Sequence, residues 1–105
     1  MRNIAHRGFS GKYPENTMLA FEKAIELNVD MIELDITLSK DKMPVVIHDD
    51  TLERTTNGKG KVKNTLFNKL KMLDAGSWMP RKYLDANIPS LEEVLALIQK
   101  SKVNL

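Results

Sequence analysis

The apolar positions of this chain change period several times, and each change marks an element. Asn3-Ile4-Ala5 reads as a short strand running into His6-Arg7-Gly8, where Gly8 and Gly11 break it and a loop follows to Pro14. Met18, Phe21, Ala24 and Ile25 then recur at helical spacing. Asn16 or Thr17 is placed to cap that helix, because a side-chain oxygen there accepts the N–H groups that a first turn leaves without partners. The helix is predicted to stop near Asn28. From Met31 to Leu38 the period falls to two. Ile32, Leu34, Ile36 and Leu38 share one face of the predicted strand, and Met31, Glu33, Asp35 and Thr37 share the other. Lys40-Asp41-Lys42 makes a turn, and Pro44-Val45-Val46-Ile47-His48 is a second strand ended by Asp49-Asp50.

The stretch 51–64 is polar, with Asn57-Gly58 as a turn signal. Thr65 to Leu73 reads as a short amphipathic helix carrying Leu66, Leu70 and Leu73, followed by a loop with Trp78, Pro80 and Pro89. Ser90-Leu91-Glu92-Glu93 is a capping box, in which Ser90 and Glu93 satisfy each other's end of the helix. That helix is predicted to bury Leu91, Val94, Leu95 and Ile98, and Val103-Asn104-Leu105 reads as the start of a further strand. The alternation of strands and helices argues for α/β architecture with parallel strands joined by right-handed crossovers. A complete (β/α)₈ barrel needs about 200 residues or more. Such βα units close into a barrel or an open sheet; of a barrel the pattern supplies only a part, a partial barrel of the first two to three βα units.

Composition narrows the class without choosing a function. The chain has 105 residues, 42% of them hydrophobic, enough for one modest core. A net charge of +2 is too mild to argue for a nucleic-acid partner. With no cysteine, disulfides and thiolate metal sites are excluded. The opening Met1-Arg2-Asn3-Ile4-Ala5-His6 has no apolar signal region, and no stretch approaches the roughly 20 apolar residues of a membrane span. A soluble, cytoplasmic protein is the expectation.

Candidate chemistry gathers at the strand ends. Glu33 and Asp35, two apart on a strand, project from one face. Two acids inside a buried parallel strand are costly unless a cation compensates them. Oxygen ligands without Cys suit Mg²⁺, Ca²⁺ or Mn²⁺. The competing reading is an edge strand with a wet face. His6 and His48, the only histidines, each follow an apolar strand segment, the end where parallel α/β folds build active sites. Imidazole titrates near neutral pH, so such a pair can supply a base and an acid, although a single histidine in that place is more often structural. Arg7 carries the bidentate fork that matches phosphate, and a surface ion pair is its commoner fate. Asp49 and Asp50 read as a strand-ending turn, Lys59, Lys61 and Lys63 as a solvated loop able to steer an anion weakly, and Trp78 as core or lid.

Taken in order, His6-Arg7-Gly8, Pro14-Glu15-Asn16-Thr17, Glu33-Leu34-Asp35 and Val46-Ile47-His48-Asp49 resemble the glycerophosphodiester phosphodiesterase family. Thr51-Leu52-Glu53-Arg54-Thr55-Thr56-Asn57-Gly58 and Ile88-Pro89-Ser90-Leu91-Glu92-Glu93 extend the resemblance over essentially the whole chain. The resemblance implies a (β/α)₈ barrel with a small insertion after the second strand, which residues 51–87 would begin or form. It implies metal-dependent hydrolysis of glycerophosphodiesters to glycerol 3-phosphate and an alcohol, with Ca²⁺ or Mg²⁺ as cofactor. By the same resemblance His6 and His48 would be the catalytic base and acid, Glu33 and Asp35 metal ligands, and Arg7 the phosphate holder. The family's third metal carboxylate lies in an Asn-Ile-Glu-Leu-Lys-like stretch, and Val103-Asn104-Leu105 resembles the residues just before it.

Three readings follow. The chain is part of a phosphodiesterase acting on a small-molecule substrate; or it is an inactive fragment or pseudoenzyme that keeps a phosphate-binding corner; or it is an interaction module that self-associates through an open sheet edge.

Overall fold

The computed structural model describes residues 3–83 and 85–101. The segment Val103-Asn104-Leu105, where a further strand is predicted, lies outside the described residues. Strand β1 (Ile4–His6) runs into helix α1 (Met18–Glu26), which returns the chain to β2 (Met31–Glu33). β1 and β2 pair in parallel, with Ala5 opposite Ile32 and His6 opposite Glu33. Strand β3 (Ile36–Leu38) and β4 (Pro44–Val46) form a second, antiparallel pair, with Ile36 opposite Val46. A 3₁₀ turn at Val62–Asn64, helix α2 (Phe67–Lys71) and helix α3 (Leu91–Gln99) complete the described order.

The helices start where side-chain chemistry allows. Thr17, extended at φ −114°, accepts from the Ala20 N–H and opens α1. The Ser90–Glu93 capping box forms as read, with Glu93 N–H donating to Ser90 Oγ at 3.1 Å and Ser90 N–H to Glu93 Oε1 at 3.1 Å. Ser90→Ala is expected to cost about 1 kcal/mol, the typical worth of such a cap. Urea unfolding would show it as a lower midpoint at unchanged slope. Helix α2 is shorter than the predicted Thr65–Leu73. Leu66 stays extended with no side-chain cap, and the Phe67 N–H is satisfied from afar by Asp41 Oδ1 at 2.9 Å.

The single predicted strand Met31–Leu38 divides. After Glu33 the chain leaves the parallel sheet, and Leu34-Asp35 bridges to β3, which pairs with β4 alone. The predicted apolar face therefore divides too: Ile32 is buried, while Ile36 and Leu38 are 49% and 47% exposed. The predicted parallel arrangement holds for β1 and β2 and fails for β3 and β4. Among the described residues there is one complete parallel βαβ unit, followed by a hairpin and α3, and no closed barrel.

β4 is the wall between two cores. Successive strand residues face opposite sides. Val46 joins Ala5, Phe21, Ala24, Ile32, Val94 and Ile98 in one cluster, while Val45 and Ile47 join Leu52, Val62, Leu70, Ala75 and Ile88 in the other. The segment leading into α3 lies along β4, with Val46 N–H donating to the Pro89 carbonyl at 2.9 Å. α3 thereby reaches the first cluster through Val94, Ile98 and Leu97, and Leu95, predicted to be buried, is exposed. The other face of the parallel pair is open. Ile4 and His6 are exposed on β1, and a cleft of about 370 Å³ runs along Ile4, Met31, Ile32, Glu33 and Leu34.

Candidate functional site

The end of β1 turns sharply. Arg7 takes a left-handed backbone at φ 58°, a sparsely populated conformation for a residue other than glycine. The turn aims its N–H at Glu33, 2.8 Å from the carbonyl oxygen and 3.1 Å from Oε2. Gly8 follows at φ +78°; a Cβ there would sit 2.9 Å from the backbone and Cβ of Ala20, so α1 packs directly on the turn. Asn16, also left-handed at φ 54°, donates its N–H to the Arg7 carbonyl at 2.9 Å and its amide to Asp35 Oδ2 at 3.0 Å. Two backbone outliers thus brace each other. Strain retained at such positions motivates a functional assignment.

This turn gathers four of the five candidate residues. His6 Nε2 lies 3.4 Å from Glu33 Oε2, as their opposite register on β1 and β2 requires. Arg7 Nε lies 3.4 Å from Asp35 Oδ2. The two acids, expected to need a metal, are met here by the Arg7 guanidinium, the Asn16 amide and the His6 ring. The Arg7 guanidinium, expected to face a phosphate, reaches back to Glu15 at 3.3 and 3.4 Å.

His48 arrives by another route. It sits two residues beyond β4 rather than within it. Because β4 runs antiparallel to β3, its end returns to where β3 began, and Ile47 N–H donates to the Asp35 carbonyl at 3.0 Å. The hairpin therefore delivers His48 to the same end of the molecule as His6, though the strand under it points the opposite way from a barrel strand. Among the described residues no direct bond joins His48 to the other four. A chain of charges does: His48 Nδ1 to Asp49 Oδ1 at 2.7 Å, Asp49 Oδ2 to Arg54 Nε at 2.9 Å, Arg54 to both oxygens of Glu15 at 3.0 and 2.8 Å, and Glu15 to Arg7. Arg54 and, after it, His48 hold the Asp49 carboxyl at about 2, so it stays ionised far into acid. Asp49 lies in a bend just past the end of β4, as read, and is also a partner of His48. Glu15 and Arg54 had no assigned role, and Asn16 was read only as a possible helix cap, a place that Thr17 takes; nothing local in the sequence signals a contact spanning 39 positions, as between Glu15 and Arg54.

The metal assignment can be tested on donor chemistry. Glu33 and Asp35 offer oxygens of the type hard cations take. The Oδ1 of Asn16, on the amide that holds Asp35, is buried with no hydrogen-bond partner. Among the described residues, however, no three His, Cys, Asp or Glu side chains gather into a metal-holding group. The donors fit in kind and supply part of a coordination sphere. None of the described helices is long and apolar enough to cross a membrane.

Comparison with known proteins places the chain in a family. Residues 6–105 match the glycerophosphoryl diester phosphodiesterase family. The glycerophosphodiester phosphodiesterase of Caldanaerobacter subterraneus subsp. tengcongensis is 53% identical over 95 residues, which are 90% of this chain and 39% of that protein. A glycerophosphodiester phosphodiesterase from Bacillus subtilis is 47% identical over 100 residues, covering 88% of this chain and 34% of that protein. Among solved structures, an Oleispira antarctica phosphodiesterase in complex with its product sn-glycerol-3-phosphate superposes with a TM-score of 0.90 at 43% identity, over 95% of this chain and 40% of that one. The Agrobacterium tumefaciens glycerophosphodiester phosphodiesterase gives a TM-score of 0.90 at 40% identity, over 95% and 44%. The chain spans about two-fifths of the length of the relatives it matches.

Proposed function

This chain belongs to the glycerophosphoryl diester phosphodiesterase family, and from that premise we propose that it carries part of an active site hydrolysing glycerophosphodiesters to glycerol 3-phosphate and an alcohol. The observation that carries the proposal is the meeting of the His6-Arg7 turn and the His48-Asp49 turn at one end of the molecule, linked by the Glu15–Arg54 ion pair. The product-bound Oleispira structure supports the substrate class, since its ligand is the phosphate half of such a diester.

In this reading His6 and His48 share the proton transfers. One takes a proton from the attacking oxygen, water or the substrate's own glycerol hydroxyl, and the other gives a proton to the leaving alcohol. Both rings reach solvent, with side chains 65% and 43% exposed, as groups that meet a substrate must. Arg7 supplies positive charge at the turn between them and helps hold the phosphate. Glu33 and Asp35 would hold a divalent cation, Ca²⁺ or Mg²⁺, whose chemistry when bound is to draw off charge from the phosphoryl oxygens. The remaining barrel strands of the family fold would close over the open face of β1 and β2. Residues 51–87, which build much of the second core, would begin or form the family's insertion.

Release of glycerol 3-phosphate from glycerophosphoethanolamine in the presence of Ca²⁺ or Mg²⁺ tests the activity. A second reading is favoured by the incomplete donor set among the described residues. The 105 residues alone would bind the phosphate product and not turn over, and glycerol 3-phosphate binding without product release would select it. The cation assignment has its own test. Calorimetric titration with Ca²⁺ and Mg²⁺ is expected to show Glu33→Ala and Asp35→Ala each weakening binding by about tenfold or more, at least the loss seen when a merely outer-shell partner is removed. Equal binding by wild type and both variants would refute it.

A further inference from the structure

We propose that Asp49 and Arg54 are positioning residues for His48: the Asp49 carboxylate keeps a proton on Nδ1 of the imidazole, and Arg54 locks that carboxylate, leaving Nε2 as the nitrogen that meets the substrate. The proposal rests on the reading of His48 as an acid–base group and gives that group its orientation.

The geometry is directional. An ionised carboxylate only accepts hydrogen bonds, so the 2.7 Å contact from Asp49 Oδ1 requires Nδ1 to be the donor. A neutral imidazole with its proton on Nδ1 carries its lone pair on Nε2. As an acid, His48 would give its Nε2 proton to the leaving oxygen and finish neutral with the Nδ1 proton still in place. The carboxylate is fixed in turn. Arg54 grips both of its oxygens, Oδ2 from Nε at 2.9 Å and Oδ1 from the guanidinium NH2 at 3.1 Å. The rest of the fork takes both oxygens of Glu15, a side chain only 10% exposed. A lone exposed ion pair would be worth little. Here one planar guanidinium spans two carboxylates, and Glu15 continues to Arg7 beside Asp35, so the orientation of His48 is referred back to the turn that holds His6. The charged groups facing His48 are Asp49 and Arg54 from its own loop and Glu15 across the small cleft it shares with Asn16, Thr55 and Thr56. A lysine at 54 would keep the charge and lose the fork.

With two histidines in the chain, ¹⁵N-imidazole NMR gives two side-chain spin systems, and His6→Gln identifies which is His48. The wild type is expected to show neutral His48 protonated on Nδ1. Asp49→Asn, nearly isosteric, is expected to move that proton to Nε2, because the amide can donate to Nδ1. Arg54→Lys should show a mixture of tautomers, and Arg54→Met a larger departure. In the turnover assay Asp49→Asn should lower kcat by about 10²–10⁴-fold, the range for a disabled acid–base group, with KM within a few-fold. A wild-type His48 protonated on Nε2, or an Asp49→Asn protein with unchanged tautomer, overturns the relay. If the tautomer moves as expected while His48→Ala still turns over, the positioning stands and the catalytic reading of His48 falls.

Discussion

Alanine at His6 or His48 is expected to lower kcat for a glycerophosphodiester by about 10²–10⁴-fold at saturating divalent cation, the usual contribution of a positioned acid or base. The loss should be chemical. Neither ring belongs to a core cluster, so removing one leaves Ala5, Ile32 and Val46 packed as before. Cation binding, assigned to Glu33 and Asp35, should persist in both variants and weaken together with activity in Glu33→Ala. The wild-type rate should trace a bell against pH, one limb for the group that must be free to accept a proton and one for the group that must carry it. Each alanine variant should lose one limb. Turnover within a few-fold of wild type in both variants would end the two-histidine mechanism, whichever ring is assigned as base.

Phe21→Ala is expected to cost about 3–5 kcal/mol, the range for truncating a buried aromatic. Phe21 is 0% exposed and stands in the first core cluster among Ala24, Ile32, Val46 and Val94. Few of those neighbours can move to fill the space: Ala24 shares its helix, and Ile32 and Val46 are held by strand pairing. For a chain near 100 residues each kcal/mol moves Tm by about 4–8 °C, so a fall of at least about 12 °C should appear in a circular-dichroism melt. Against a total stability of about 5–15 kcal/mol, the variant would sit near the threshold of folding. A fall below about 4 °C would mean that the cluster does not depend on this ring. The effect reaches the site as well, because α1 carries Ala20, on which the Gly8 turn rests.

Features set by neighbours in the sequence were legible there. Thr17, the Ser90–Glu93 box and the helical spacing of Phe21 and Ala24 act within one or two turns, and the structure shows each. The parallel pairing of β1 with β2 also followed from the strand–helix–strand order, and the structure adds that it sets His6 opposite Glu33. What was missed depends on contacts the local pattern does not carry. Alternation continued unbroken from Met31 to Leu38, yet the strand divides at Leu34-Asp35, because β3 pairs with β4 and leaves β2. The apolar run at Val45-Val46-Ile47 signalled burial on both sides; that the two sides belong to different cores depends on residues 52–88 folding back against one of them. The acids at 33 and 35 pointed to positive charge nearby. The Arg7 guanidinium that supplies it, and the Asn16 amide that donates a hydrogen bond beside it, are set by two left-handed backbones, which no propensity favours for arginine. Arg54 lay in a recognised motif with no assignable partner until the loop brought it to Glu15.

The β3–β4 hairpin makes the spelling of one surface turn matter to a site at the opposite end of two strands. Ser39 to Met43 closes the hairpin, with Ser39 N–H donating to the Met43 carbonyl at 3.0 Å and Lys42 left-handed at φ 66°. Side chains on a strand alternate between faces, so lengthening this turn by a single residue at fixed β3 would slip β4 by one place and invert it. Val46 would trade cores with its neighbours, and His48 would be carried to the reverse side with Ile47 in its stead. Sequence drift among relatives should therefore alter the letters of this turn freely and its length hardly at all, or only in steps of two.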